Sequence, residues 1–416
     1  MTTDQTASNE WLDQLEELDA QGLRRRLRRV DSAQGAYVTV DGRRMCCFAS
    51  NNYLGLANHP RVVAAVRDAV ERWGWGAAAS RLITGHMGPH EQLEARLAAF
   101  KGTPAALVCA TGYQANLAAV RGLAGVGDMV MIDKLDHASI VDAARGCGAV
   151  LRVFPHRDYA KLERILRRAG DFQRRIIVTD SLFSMDGDFA DLPRLVELKR
   201  RYDALLCIDE AHATGVFGEH GRGAAEAMGV EHEIDLVVGT LSKALGGIGG
   251  FVAGRAEIID WLINTAGPFI YTTALPPAAC AAAMAALDIV EHEPGRRQHL
   301  LELAAYLRHE LAEVRGLDIA GSTLDTQRGP AARSREAAVA CQGSTSQIVP
   351  LIVGDAREAV RLADTLADEG LLALPIRPPT VPRGTARLRI SLCCEHTKAD
   401  VDRLLAAVDR HWPRAQ

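Results

Sequence analysis

From Asn51 onward, short unbroken apolar runs alternate with longer stretches of helical period. The runs are Ala106–Cys109, Met129–Ile132, Val150–Phe154, Ile176–Thr179, Leu205–Ile208, Leu236–Gly239 and Gly250–Ala253. Runs this short, with no polar alternation, predict strands buried on both faces. Helices between them predict a mostly parallel sheet covered above and below. Upstream, an amphipathic helix from about Asn9 to Arg29 leads into two short strands at Tyr37–Val40 and Met45–Phe48. After Tyr271-Thr-Thr-Ala-Leu-Pro-Pro277 the texture changes to a long Ala-rich helical region, 278–315. A polar stretch, 321–346, follows and reads as a loop. Then come a strand at Ile348–Val353, a helix at 355–369, strands at 371–375 and Arg387–Leu392, and a last helix from Lys398. The expectation is an α/β chain in three parts. Residues 1–50 supply an N-terminal helix and short strands, 51–277 a large domain around the sheet, and 278–416 a smaller C-terminal α+β domain with its connecting helix.

Composition narrows the classes. At 416 residues, 48% apolar and 24% charged, the chain is an ordinary globular protein long enough for two domains. A net charge of −4 leaves no basic excess for nucleic acid or an anionic membrane. Arg24, Arg25, Arg26, Arg28 and Arg29 form one basic cluster, read as the solvated face of the N-terminal helix. No apolar run reaches membrane length, and the first residues carry no apolar signal core. Nine cysteines include the adjacent pairs Cys46-Cys47 and Cys393-Cys394 but no C-x-x-C spacing. That pattern predicts reduced thiols in a cytoplasmic protein, with neither a zinc site nor a disulfide frame.

Ligands of parallel sheets bind beyond the carboxyl ends of the strands, where this chain places its polar residues. One run ends in Cys207-Ile-Asp-Glu-Ala-His-Ala-Thr-Gly215, another in Val237-Val-Gly-Thr-Leu-Ser-Lys-Ala-Leu-Gly-Gly247. An acid at a strand end, a histidine three residues on and a later lysine suit pyridoxal phosphate (PLP). Lys243 bonds its aldehyde carbon and Asp209 pairs with its ring nitrogen. Taken singly, each signal is weak. A lysine in a glycine-rich turn is more often a surface charge, and Asp-Glu-Ala-His also resembles a helicase box. Gly246-Gly-Ile-Gly-Gly-Phe251 is neither G-x-G-x-x-G nor a P-loop.

The other strand ends supply a consistent set. Gly112 and Tyr113, opening a helix, offer backbone N–H groups to a phosphate. Thr240 and Ser242 add hydroxyls to the same group. His137 can stack on the ring, although alone it would more often cap the next helix. Ser181 and His212 can reach the ring's phenolic oxygen.

Seven motifs together resemble the α-oxoamine synthases of the type I PLP-enzyme fold. They are Ala49-Ser-Asn-Asn-Tyr-Leu-Gly-Leu56, Ser80-Arg-Leu-Ile-Thr-Gly85, His90-Glu-Gln-Leu-Glu94, Asp136-His-Ala-Ser139, Ser184-Met-Asp-Gly-Asp188, Asp209-Glu-Ala-His-Ala-Thr-Gly-Val-Phe-Gly218 and Thr240-Leu-Ser-Lys-Ala-Leu-Gly-Gly247. The resemblance implies a type I PLP-dependent transferase that condenses a small amino acid with an acyl thioester and releases carbon dioxide. Lys243, His137, Asp209 and His212 would be its catalytic residues. Within that family, Ile348–Asp355 and Ile376–Leu392 resemble the branch joining L-alanine to a pimeloyl thioester in biotin synthesis. By the same resemblance Arg377 holds the amino-acid carboxylate, and Thr380, Asn51 and either Arg24 or Arg25 contact substrate. A homodimer is implied too, with Thr272 or Thr273 reaching the phosphate of the other subunit. Glycine C-acetyltransferase, 5-aminolevulinate synthase, serine palmitoyltransferase and, more distantly, PLP aminotransferase chemistry remain open from the residues alone.

Overall fold

The computed structural model describes residues 4–311, 317 and 346–413. Its strands, in chain order, are β1 (Tyr37–Val40), β2 (Arg43–Cys47), β3 (Ala105–Cys109), β4 (Met129–Asp133), β5 (Val150–Phe154), β6 (Arg175–Asp180), β7 (Leu205–Asp209), β8 (Leu236–Thr240), β9 (Gly250–Gly254), β10 (Ile348–Gly354), β11 (Leu371–Leu372), β12 (Leu374–Ile376) and β13 (Ala386–Ser391). β3 to β9 form one seven-stranded sheet in the order β3-β9-β8-β7-β6-β4-β5. Pairing is parallel from β8 through β7, β6 and β4 to β5, while β9 runs antiparallel to both β3 and β8. The expected α/β architecture with a mostly parallel sheet is therefore present.

Strand alternation divides the core. Met129, Met131, Ile177, Leu206, Ile208 and Val237 pack into one apolar cluster. Their neighbours Val130, Ile132, Ile176, Val178, Cys207, Leu236 and Val238 pack into another. Successive side chains of a strand point to opposite faces, so a run with no polar alternation needs cover on both sides. Leu93, Leu97, Leu195 and Leu198 supply it on one face, and Ala115, Ala118, Ile140 and Leu262 on the other.

Four local expectations change. The first helix spans Asp4–Ala20 and does not continue to Arg29. Gly22 takes a left-handed φ of 66°, and Leu23 N–H closes onto the Leu18 carbonyl, which ends the helix. Arg24 to Arg29 therefore lie beyond the helix, not on its face. The Ala-rich region is two helices, Pro277–His292 and Gly295–His309, broken at Glu293-Pro294. The strand expected at 371–375 is shared between sheets: β11 pairs with β2, and β12 with β13. Of the polar stretch 321–346, all but Ser346 lies outside the described residues.

β10, β13 and β12 form an antiparallel sheet, and β1, β2 and β11 a second small one. Residues 37–47 thus share a sheet with residues of the C-terminal part, and helix Pro277–His292 packs on helices Pro60–Trp73 and Gly88–Lys101. Among the described residues no helix is long and apolar enough to cross a membrane.

Candidate active site

Parallel register puts the ends of β6, β7 and β8 side by side. Asp180 lies opposite Asp209, and Asp209 opposite Val238. Lys243 follows β8 in a tight turn, where Gly246 N–H bonds the Lys243 carbonyl at 2.9 Å. Gly246 has a φ of 68°, and a Cβ there would lie 2.3 Å from the Ala57 amide nitrogen, so only glycine fits.

Lys243 Nζ is 2.9 Å from His212 Nε2, and His212 Nδ1 is 2.6 Å from the Tyr53 hydroxyl. Burial brings the Lys243 pKa down to about 8; Asp209 and Asp180 oppose this and Arg389 adds to it. Burial also drives the His212 pKa well below its ordinary value, helped by the Lys243 and Arg389 charges. The result is a reactive amine beside a neutral imidazole.

The Asp209 carboxylate accepts from Asn116 Nδ2 at 2.6 Å and from Ala211 N–H at 2.7 Å. His137 follows β4 and caps helix Ala138–Gly146; its own backbone N–H donates to Asp180 Oδ2 at 2.7 Å. The residue is exposed, and its ring stands edge-on to that of Tyr113, with centroids 6.5 Å apart. Partial burial pulls its pKa down against Asp209, with Lys243 adding to the fall. Ser181 is fully buried and donates its hydroxyl to the Asp209 carbonyl at 3.0 Å, so only its lone pairs are left for a ligand. Beneath this group, burial and neighbouring carboxylates hold Asp136 and Asp180 well above the usual carboxyl range.

Gly112 and Tyr113 open helix Gly112–Leu123, and the Thr111 side chain caps Gln114 N–H. The Tyr113 hydroxyl bonds Asp142. Thr240 Oγ1 lies 2.7 Å from Ser242 Oγ, and a Cβ on Gly112 would stand 3.2 Å from Thr240 Oγ1. A Cβ on Gly250 would come within 2.6 Å of Gly112 Cα. These glycines leave a cradle of first-turn amides beside the Ser242 hydroxyl, donors suited to a phosphate dianion, while Thr240 Oγ1 donates to the Gly249 carbonyl at 3.0 Å.

The expected substrate residues separate into two groups. Asn51 Oδ1 accepts from Arg389 Nη1 and Nη2 at 3.2 and 3.3 Å and from the Tyr53 hydroxyl at 3.0 Å. Arg389 is buried and its charge acts on Lys243, yet it was not among the sequence candidates. The available signal was Arg387 and Arg389 alternating with Leu388 and Ile390 in a strand with both faces buried. Charges there need partners. Arg377, expected at the amino-acid carboxylate, instead donates to the Gly22 carbonyl and stands beside Arg25. Arg25 Nη2 reaches Thr380 Oγ1 at 3.4 Å, whereas Arg24 pairs with Asp19 at 2.7 Å. Thr272 is half-buried and Thr273 exposed, beside the bridge Ser80↔Thr273.

Residues 43–408 match the family described as aminotransferase class I and II. The chain is 48% identical to the 8-amino-7-oxononanoate synthase of Geobacter sulfurreducens, over 95% of this chain and 96% of that protein. A Sphingomonas wittichii serine palmitoyltransferase has a TM-score of 0.87 at 32% identity, over 97% of this chain and 96% of the other. SPT with its PLP internal aldimine has a TM-score of 0.88 at 30% identity, over 98% and 97%. The structural neighbours share the type I PLP-transferase fold, and sequence identity is the more discriminating guide to chemistry. The cofactor is PLP, and the donors described above fit it: a phosphate cradle, a carboxylate for the ring nitrogen and an amine with a depressed pKa.

Proposed function

The chain belongs to the aminotransferase class I and II family, alongside the 8-amino-7-oxononanoate synthases, and from that premise we propose that it condenses L-alanine with a pimeloyl thioester. The products are 8-amino-7-oxononanoate, carbon dioxide and the free thiol, in biotin synthesis. The observation that carries this reading is 48% identity over nearly the full length of a relative so named. The experiment is direct. Purified protein is given alanine, glycine or serine with pimeloyl-, acetyl-, succinyl- or palmitoyl-CoA, and thiol release is measured. Fastest release is expected with alanine and pimeloyl-CoA; serine with palmitoyl-CoA as the best pair would overturn the assignment.

What PLP supplies when bound is an electron-poor ring that takes up charge when a bond at the amino acid's Cα breaks. The chain's residues do the rest. Gly112 and Tyr113 amides and the Ser242 hydroxyl would hold the phosphate, with Thr240 lining the same cradle. Asp209 keeps the ring nitrogen protonated, and Ser181 and His212 bond the phenolic oxygen. Lys243 Nζ would hold the cofactor through its aldehyde carbon and, once freed by the amino group of alanine, would take the Cα proton and later return one. The Cα–C bond to the thioester carbonyl would form as the C–S bond breaks and the thiolate leaves, with His137 donating to the carbonyl oxygen as charge builds there; the Cα–carboxylate bond would then break to release carbon dioxide, before Cα is reprotonated.

Arg389 with Asn51 binds the alanine carboxylate, since a planar guanidinium buried beside the reactive amine suits a carboxylate. Arg25, Arg377 and Thr380 form a second anion site, for the far carboxylate of the acyl chain. Arg389→Gln is expected to weaken alanine by about 2–3 kcal/mol, the size of a lost charge-assisted bond, with the thioester KM moving less. Arg377→Gln should show the reverse pattern. If Arg377→Gln weakened alanine and Arg389→Gln did not, the two assignments would have to be exchanged.

Cofactor capture requires neutral Nζ. With a pKa of about 8 for Lys243 against the ordinary 10.5, the neutral fraction reaches half at a pH of about 8 and levels off above that. The rate of PLP capture by apoenzyme should follow that curve in stopped-flow absorbance. A rate still climbing near 10.5 would mean that the lysine is unshifted.

A homodimer completes the reading, with Thr272 or Thr273 presented to the partner's phosphate. Supporting it, the large apolar residues Tyr271, Ile83 and Leu82 are exposed around the Ser80↔Thr273 bridge.

A further inference from the structure

His137 Nδ1 faces two groups of one residue: Ser139 N–H at 3.3 Å and Ser139 Oγ at 2.8 Å. A backbone N–H only donates, so Nδ1 presents a lone pair there. The hydroxyl's direction follows from Asn116. Asn116 Nδ2 donates to Ser139 Oγ at 2.9 Å and to Asp209 Oδ2 at 2.6 Å. Turning the amide over would set its oxygen against a carboxylate oxygen at that distance, two acceptors in contact. With Ser139 Oγ already accepting from Asn116, its own proton is free to go to Nδ1. Every donor between Asp209 and the His137 ring thus has an assigned role.

The cost of this arrangement is visible. Asn116 Oδ1 is buried with no hydrogen-bond partner among the described residues, so the amide sits there for its donors alone. On the other side, Asp180 fixes the His137 backbone through its N–H. Nε2 makes no hydrogen bond among the described residues, and the residue is exposed.

We propose that Ser139 and Asn116 are positioning residues that lock His137 in its Nε2–H tautomer. The proton then points at the cleft, for the thioester carbonyl oxygen; that last step rests on the proposed function. Neither residue touches substrate. Both act through the imidazole.

The test is 15N NMR of holoenzyme carrying 15N-histidine, with His137→Gln used to identify the resonances. At neutral pH the wild type should show an unprotonated, hydrogen-bonded Nδ1 and a protonated Nε2. Ser139→Ala should give mixed tautomers and a kcat lowered at least tenfold, within the roughly 100- to 10,000-fold that a positioned proton donor supplies. The alanine KM should stay near wild type, and Ser139→Thr should restore the wild-type signature. Asn116→Ala should shift the same resonances by a smaller amount. An Nδ1–H tautomer or an imidazolium in the wild type overturns the proposal, as does a Ser139→Ala spectrum that does not move. An unmoved spectrum in Asn116→Ala removes Asn116 from it. If the wild type releases no thiol from any thioester, the carbonyl falls as recipient, while the spectrum alone still decides the tautomer.

Discussion

Lys243→Ala is expected to lower turnover by roughly a millionfold, the size seen when one member of a catalytic group acting as a unit is removed. The reason lies in what the other lysines are doing. The chain has six. Lys101, the other deeply buried one, is paired with Glu210 at 2.7 Å and hydrogen-bonded to Thr214. Lys199 pairs with Asp235 and Lys398 with Asp402, while Lys134 and Lys161 are exposed. Lys243 alone combines a pKa brought down to about 8 with a neutral imidazole at 2.9 Å. The variant should still fold and hold PLP without a covalent bond. Borohydride reduction of wild type followed by peptide mass mapping should place the pyridoxyl group on Lys243. An adduct on any other lysine rejects the site.

Asp209→Asn should slow removal of the alanine Cα proton by about a thousandfold while leaving the cofactor attached. A contact ion pair at an effective dielectric of ~20 is worth about 4 kcal/mol, and each 1.36 kcal/mol is about tenfold in rate. An amide keeps the shape and loses the charge, so the ring nitrogen is no longer held protonated. It also places an NH2 against one of the two donors, Asn116 Nδ2 and Ala211 N–H, that converge on the carboxylate. Exchange of the alanine α-proton into D2O, followed by NMR, measures the step without the thioester. Exchange near the wild-type rate would show that Asp209 is not the ring nitrogen's partner.

Much of the site was legible because its pieces are local. The apolar run Leu205–Ile208 and the polar residues after it are contiguous, so strand propensity carries Asp209 and His212 to a strand end in one stroke. The same holds for the run before Lys243 and for the helix opening at Gly112. Even the ambiguous reading of His137 was informative: it caps the following helix and stays exposed, within reach of the Asp209 and Lys243 charges.

Arg389 shows where local reasoning stops. In the sequence it is one of two arginines alternating with aliphatics, and the strand was correctly expected. Its place comes from a contact with Asn51, 338 positions away, made because the end of β13 runs beside residues 48–53, where Ser391 N–H bonds the Phe48 carbonyl at 2.8 Å. Arg377 shows the converse: a proline-flanked arginine with a convincing neighbourhood in sequence, whose side chain turns to the Gly22 carbonyl. Asn116 lies inside a helix, where nothing in its spacing marks it as the link between Asp209 and Ser139. Periodicity, turn residues and motif order are properties of neighbouring residues, so the sequence by itself determined the α/β class, the strand ends and the lysine–aspartate pair. Which arginine brings its charge to bear on the reactive amine, and which amide ties the acid to the Ser139 hydroxyl, follow from juxtapositions across the fold, and only the packed tertiary structure decided them.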